Sequence, residues 1–246
     1  MNDSTSATSP AWPTRWPADS FTGLWTWLLS GFIALIFVAA FVLGVRQGSV
    51  ANISPIALDI GIAAQAFLEA ALVALVLVAM PVLSKFTLHE LGFEIPSPAV
   101  LGGALLGAVA MAVVANGGAT LVDYLAHSGH QQDLVQIFKD LHDPVTIAIF
   151  VCFAVFFAPF AEETFFRVLF FNLGLRYGGF WGGAVLSGVL FGIAHGDLYA
   201  AIPLALGGVV LCAVYYRTRN AFAPMISHAL FNALSLAALL ATRKSL

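Results

Sequence analysis

Charge is scarce in this chain. Of its 246 residues only 9% are Asp, Glu, Lys or Arg, against roughly 25% in an ordinary soluble domain, and a soluble fold cannot cover its surface with so few. The net charge is −3 and there is no basic patch, which excludes the electrostatic footprint of a nucleic-acid binder. Cysteine is sparse too. Cys152 and Cys212 both fall inside apolar runs, where a buried thiol behaves as a small hydrophobe, and two such residues make neither a disulfide framework nor a CxxC metal site. The sequence has no internal repeat and no sign of a second domain.

What the chain has is apolar length. Hydrophobic residues make up 60% of it, and Phe21 to Leu43 supplies 23 of them and their small neighbours without a formal charge, where a transmembrane helix takes about 20. Further runs are Ile56 to Leu83, Ala99 to Leu121, Pro144 to Phe171, Phe180 to Ala194, Leu198 to Tyr216 and Phe222 to Ala241. Backbone groups in lipid must bond internally, so the runs have to be helices. The expected fold class is therefore all-α, a polytopic transmembrane helix bundle of about seven to eight spans. The first run exceeds the roughly 7 to 15 apolar residues of a signal peptide and reads as an anchor that stays. Residues 1–20, rich in Ser, Thr, Pro and Asp, read as a disordered tail, which leaves 21–246 as one transmembrane domain.

The polar connection Val122 to Asp143 contains DLVQIFKDLHD, with Leu134, Ile137, Phe138 and Leu141 at helical spacing, which fits a short helix at the membrane surface. Gly102, Gly103 and Gly107, and again Gly182, Gly183, Gly188 and Gly192, suit close helix contacts. Lys and Arg divide almost evenly between the two sides of an alternating topology, so the orientation stays open.

Against this background a few polar groups stand out: Asp59, Glu69, Glu162, Glu163, Arg167 and His228 inside the runs, and His195 at the end of one. A charge at mid-membrane costs at least ~2.5 to 3.5 kcal/mol on insertion scales, so such groups face the interior and mark function. In PFAEETFFR, Pro159 to Arg167, Glu163 and Arg167 lie four apart on one helix face and can neutralise each other. Glu162 points about 100° away and keeps no local partner, the character of a general acid or base. Pro159 removes a backbone hydrogen bond and is expected to kink the helix and help admit water. In HALFN, the spacing of four between His228 and Asn232 aims imidazole and amide into one place. A carboxylate, two imidazoles and an amide can activate a water and steady an oxyanion; His and carboxylate groups are also zinc ligands, with His195 and His228 the candidates.

The trio EETFFR, FGIAH and HALFN resembles the EExxxR, FxxxH and HxxxN/D signature of the CPBP family of intramembrane proteases, also called the CAAX protease, bacteriocin-processing or Abi family. The order is the family's, each piece falls on its own apolar segment, and the resemblance covers residues 140–241. It implies a membrane endopeptidase that hydrolyses a peptide bond in a membrane-associated substrate, with prenylated CAAX-type proteins among the family's substrates. Carried over by position, it implies Glu162 as the water-activating carboxylate, His195, His228 and Asn232 as its catalytic partners, and Glu163 with Arg167 as a supporting pair. Whether zinc takes part is left open by the signature. Membrane lipid and a peptide or lipidated protein are the partners it implies, and no nucleic acid.

A ruler of about 1.5 Å per residue puts Glu162 and His195 level, each ~22 Å from the turn between their helices, but His228 only ~12 Å deep from Asn220. A tilt, a kink at Pro224 or a later loop boundary has to close that gap. Asp59 and Glu69 have no motif around them and read as structural; His89, His127, His130 and His142 lie in polar connections and read as surface residues. Buried Glu, Arg and His groups also fit a proton-coupled transporter, and a non-catalytic immunity or scaffold protein could keep the same framework. Short loops and the lack of an organellar targeting sequence suggest a prokaryotic inner membrane.

Overall fold

In the computed structural model, residues 20–47, 54–84, 86–127, 135, 138–139 and 141–243 are described. The expected tail lies outside them except for its last residue, and so does part of the expected surface helix, including Leu134 and Ile137. Helices α1 (Ser20–Gln47), α2 (Pro55–Ser84) and α3 (Pro98–Ala126) are followed by one long helical stretch. It consists of α4 (Pro144–Cys152), a π-helical segment Phe153–Phe157, α5 (Ala158–Glu163), a second π segment Thr164–Phe171, and α6 (Asn172–Ala194); α7 (Leu198–Thr218) and α8 (Phe222–Arg243) complete the chain. No strand occurs among the described residues, and the all-α class holds.

Five helices among the described residues are long and apolar enough to cross a membrane, Ile56–Leu83, Pro98–Ala126, Pro144–Ala194, Leu198–Thr218 and Phe222–Thr242, so the count of seven to eight is not reached. Two causes account for the difference. The described apolar part of α1, Thr26–Ala39, is a shorter helix. The stretch Pro144–Ala194 joins two of the expected runs, yet its 51 residues would extend ~77 Å as a straight helix, more than twice a ~30 Å hydrocarbon core. It turns back on itself at Gly178 and Gly179, where the backbone leaves helical geometry and Gly179 takes φ 60° and ψ −160°. The limbs touch there: a Cβ on Gly174 would fall 2.7 Å from the Gly182 carbonyl oxygen.

Local signals explain where the helices begin. Pro98 and Pro144 each occupy a first turn, where a missing N–H costs nothing, behind the caps Ser97 and Asp143. The Thr146 N–H donates to Asp143 Oδ2 at 2.8 Å, and Tyr199 and Ala200 donate to Asp197 Oδ1 at 2.8 and 3.0 Å. The Thr146 hydrogen bonds hold Asp143 below the usual carboxylate range; in the loop before α3, those of Thr87 do the same for Glu90. That loop is locked onto the α7–α8 turn. Gly92, at φ 88°, accepts from the Ala221 N–H at 2.8 Å, and a Cβ there would meet the Arg219 carbonyl at 2.8 Å. The Tyr215 hydroxyl donates to the Leu91 carbonyl at 2.8 Å and the Asn220 amide to that of Glu94 at 2.9 Å.

Small residues set the helix spacing. A Cβ on Gly188 would lie 2.8 Å from the Ala205 carbonyl, and one on Gly192 would run into that of Ala201, so α6 and α7 approach backbone to backbone. Gly107 brings α3 against Val214 and Ser227, with the Ser227 hydroxyl donating to the Ala104 carbonyl at 2.8 Å. Gly102, expected among these contacts, instead faces open space. The largest core cluster centres on the second π segment, where Phe165, Phe166 and Phe170 surround Phe37 of α1.

Candidate active site

The two glutamates end α5, immediately before the second π segment. In a π turn each hydrogen bond spans five residues, so a turn holds more residues than in an α-helix. The straight ruler therefore overstates how deep Glu162 lies below the hairpin, because eight of the residues in between are π-helical. That shortening takes up only part of the expected gap, yet His228 Nε2 of α8 lies 3.8 Å from Glu162 Oε2. The expected kink at Pro159 takes a different form. Pro159 sits buried in the first turn of α5 with π segments on both sides, and the helix absorbs the lost hydrogen bond by widening.

Glu163 lies at the centre of the cluster. Its Oε1 accepts from Arg167 Nη1 at 2.8 Å and from His228 Nδ1 at 3.0 Å, and both Glu163 and Arg167 are fully buried. Arg167 Nη2 donates to the Gly208 carbonyl at 3.2 Å, and the guanidinium lies 4.6 Å from the centre of the Phe191 ring, a cation–π contact that suits a desolvated cation. An ionised carboxylate can only accept. His228 Nδ1 therefore carries the hydrogen, and its other nitrogen is free to face Glu162.

Glu162 is placed differently. Its Oε2 lies 3.8 Å from His228 Nε2, beyond hydrogen-bond length, and is buried with no hydrogen-bond partner among the described residues, while its side chain keeps 20% exposure. Glu163 is sealed in and paired through Oε1, with Oε2 buried and unpartnered among the described residues; Glu162, one residue away, is poised and reachable.

His195 caps α6. Its Nδ1 lies 2.8 Å from the Phe191 carbonyl, to which it must donate. Its ring stands 4.9 Å from that of Phe191, whose other neighbour is the His228 ring at 5.5 Å. The two imidazoles thus flank one phenyl ring, each with Nδ1 engaged and Nε2 free. Asn232 lies one turn beyond His228 on α8. Its amide donates to the Ala154 carbonyl in the first π segment at 2.8 Å, so the shared face with His228 is used to fasten α8 to the long helical stretch.

Two features escaped the sequence reading. Phe191 is more than a packing residue below His195, because it also meets Arg167 and His228. Glu69 of α2 is buried close enough to Glu162 for their charges to interact. The signal was the stripe Glu69, Leu72, Val73 and Val76 at helical spacing, all buried, but an almost uniformly apolar helix gives no contrast by which to pick out a face. Asp59, ten residues earlier on α2, accepts from the Thr146 hydroxyl at 3.3 Å. It lines a groove of about 560 Å³ between α2 and α4, with Ile62, Ala66, Cys152, Phe153 and Phe157 in its walls.

A catalytic zinc takes three protein ligands. Among the described residues no group of three or more His, Cys, Asp or Glu side chains is disposed to hold a metal ion. These residues do not fit a zinc centre, and no step is derived through one.

The family model described as "Type II CAAX prenyl endopeptidase Rce1-like" matches residues 144–234, the segment that holds both glutamates, both histidines and Asn232. Among curated proteins, the chain is similar to "Putative membrane peptidase YdiL" of Bacillus subtilis (strain 168), 27% identical over 136 residues. The match covers 54% of this chain, and the chain spans about half, 55%, of the relative. No solved structure matches.

Proposed function

We propose, for a chain whose family match and curated relative support the CPBP family and, at that level, an integral membrane protease, that Glu162 is the base of an intramembrane endopeptidase. A water sits between Glu162 and His228, whose 3.8 Å gap is too long for a direct hydrogen bond and leaves both facing atoms free. Glu162 takes one proton from that water. The water oxygen forms a bond to the peptide carbonyl carbon, and the carbonyl's π electrons move onto its oxygen. In their protonated forms, His228 and His195 donate from Nε2 to this oxyanion. Glu162 then returns its proton to the leaving nitrogen as the C–N bond breaks. Glu163, paired with Arg167, accepts from His228 Nδ1 and so holds the ring with Nε2 toward the site, and Asn232 positions α8.

The substrate in this reading is a membrane-associated peptide, of which a prenylated CAAX-type peptide is the leading case. The groove between α2 and α4, walled almost entirely by apolar side chains, suits a lipid tail. Lipid is the surrounding solvent, and the prokaryotic inner membrane is the expected location.

One observation carries the reading: adjacent glutamates are treated in opposite ways, Glu163 accepting two charged or polar donors and Glu162 none. It is tested with the purified full chain in lipid nanodiscs, given a farnesylated CAAX-type peptide and, separately, an unlipidated membrane-anchored peptide. Glu162→Gln and His228→Ala should each lower cleavage at least ~10²-fold, and Glu162→Gln should leave the thermal midpoint unchanged. Cleavage retained in both variants removes the mechanism; cleavage of the unlipidated peptide alone removes the CAAX-type substrate.

A further inference from the structure

Glu69 sits in the buried stripe of α2, where its neighbours along the helix are Leu72, Val73 and Val76. A carboxyl in that row needs an explanation. Its side chain is 8% exposed. Gln65 Nε2 donates to Oε1 at 2.7 Å, and Oε2 is buried without a partner. No cation relieves it. Helix α2 packs against α1, α4, α5 and both π segments, and the charged groups these bring, among the described side chains, are Glu162, Glu163 and Arg167. Arg167 is taken up by Glu163 and the Gly208 carbonyl. Lys139 and His142 lie toward the Leu58 and Ile62 end of α2, in the segment whose Phe138 and Leu141 pack there.

Helix α2 packs against α5, which ends in Glu162 and Glu163, so Glu69 and Glu162 stand on facing helices. Each carboxyl has one oxygen, Oε2, buried with no partner among the described residues. Two unsatisfied acceptors on facing helices each cost the protein stability, since a buried polar atom without a hydrogen bond has given up its solvation for nothing in return. A water has two hydrogens to give, and one water reaching both oxygens would satisfy both.

We propose that Glu69 is the second carboxyl of the water site: its Oε2 accepts one hydrogen of the hydrolytic water while Glu162 takes the other as a proton. This rests on the endopeptidase reading and deepens it. Accepting the second hydrogen fixes the water's orientation, so that its lone pair is directed away from both carboxyls and toward the peptide carbonyl. No bond to Glu69 forms or breaks. Gln65 holds the other oxygen of Glu69 and so fixes which one faces the water.

The experiment uses the full chain in nanodiscs, the farnesylated CAAX-type peptide, and the variants Glu69→Leu and Glu69→Gln. Leucine has about the right volume and removes an unsatisfied buried acceptor, so a residue kept for structure and a residue kept for chemistry give opposite results. The proposal expects Glu69→Leu to melt no lower than the parent, with kcat down at least about tenfold and KM changed less than about twofold. Glu69→Gln should fall between the two, since its single oxygen cannot serve both Gln65 and the water. An unchanged kcat in Glu69→Leu overturns the proposal, as does a lower melting point accompanied by an equal loss in KM and kcat. A readout without substrate separates this from the fate of the endopeptidase reading: the infrared carboxyl band that Glu69→Gln removes should move in Glu162→Gln. If the bands are coupled but the parent cleaves neither peptide, the shared water site stands and the protease reading falls. If the parent cleaves and the bands are independent, only the role of Glu69 falls.

Discussion

The two sides of the long helical stretch are built on opposite plans. Toward α6, α7 and α8 everything is closed: backbones meet through Gly188 and Gly192, and Arg167, Glu163 and Phe191 are buried without remainder. Toward α2 the packing is looser and leaves a groove of about 560 Å³. Glu163 belongs to the first side and Glu162 to the second. The closed side fixes the orientation of a histidine, which requires rigidity; the open side admits water and substrate, which requires room. One turn of helix divides these tasks because consecutive residues point about 100° apart.

The sharpest way to break the contrast is to unbalance the closed side. Glu163→Ala would strand the Arg167 guanidinium and leave His228 Nδ1 without its acceptor. Removing one partner of a buried pair costs ~3–5 kcal/mol; the variant should accumulate poorly or melt far below the parent in a detergent thermal scan. Replacing both charges, as Glu163→Gln with Arg167→Met, should recover most of that stability but no cleavage. If Glu163→Ala melts normally, the pair is not the strut that its burial indicates.

A smaller effect is expected at the glycine seam. Gly192→Leu places a side chain where the Ala201 carbonyl already lies, and α6 and α7 have to separate. Overpacking of this kind costs ~1–3 kcal/mol. Because His195 is only three residues further along α6, cleavage should fall together with the melting point, whereas Glu162→Gln lowers cleavage alone.

The contrast also governs what could be read from sequence. The charged residues announced themselves, because a Glu, Arg or His in an apolar run has few reasons to be there, and the Glu163–Arg167 pair follows from a spacing of four. The all-α class followed from the solvent. The geometry between helices did not. The π segments before and after α5 leave no mark in a sequence of phenylalanines, and spacing alone could not say that the amide of Asn232 reaches back to Ala154. The two runs Pro144 to Phe171 and Phe180 to Ala194 form one helical stretch that reverses at Gly178 and Gly179, a continuity that nothing in the sequence announces. Glu69 was visible as a residue, yet its nearness to Glu162 is a fact of tertiary packing.

On the open side, substitutions should be tolerated. Ala66 lines the groove wall, and Ala66→Phe adds a ring to space that is already open, so the thermal midpoint should move by no more than the equivalent of ~0.5 kcal/mol. Its consequence should appear in binding instead, as a raised KM for the farnesylated peptide with kcat nearly unchanged. A large stability loss there would mean that the two sides are packed alike.

The mildest prediction concerns the start of α4, which forms one wall of the groove. Asp143 caps it through the Thr146 N–H at 2.8 Å, and that bond holds the carboxyl below its usual range. A carboxyl depressed in the folded protein stabilises it above its unfolded value, and the contribution is lost as the pH falls through the folded one. Hydrogen exchange at the first turn of α4 should therefore quicken as the pH is lowered through the carboxylate range, after correction for the intrinsic pH dependence of exchange. Asparagine caps a helix as well as aspartate but does not titrate, so Asp143→Asn should keep protection across the same range, and Asp143→Ala should lack it throughout. The closed side has no such exposed titrating cap at the start of α8, where the Asn220 side chain accepts from the Phe222 N–H at 2.9 Å; exchange there should not change with pH. If both helix starts respond to acid together, the loosening is global and the cap is not its cause.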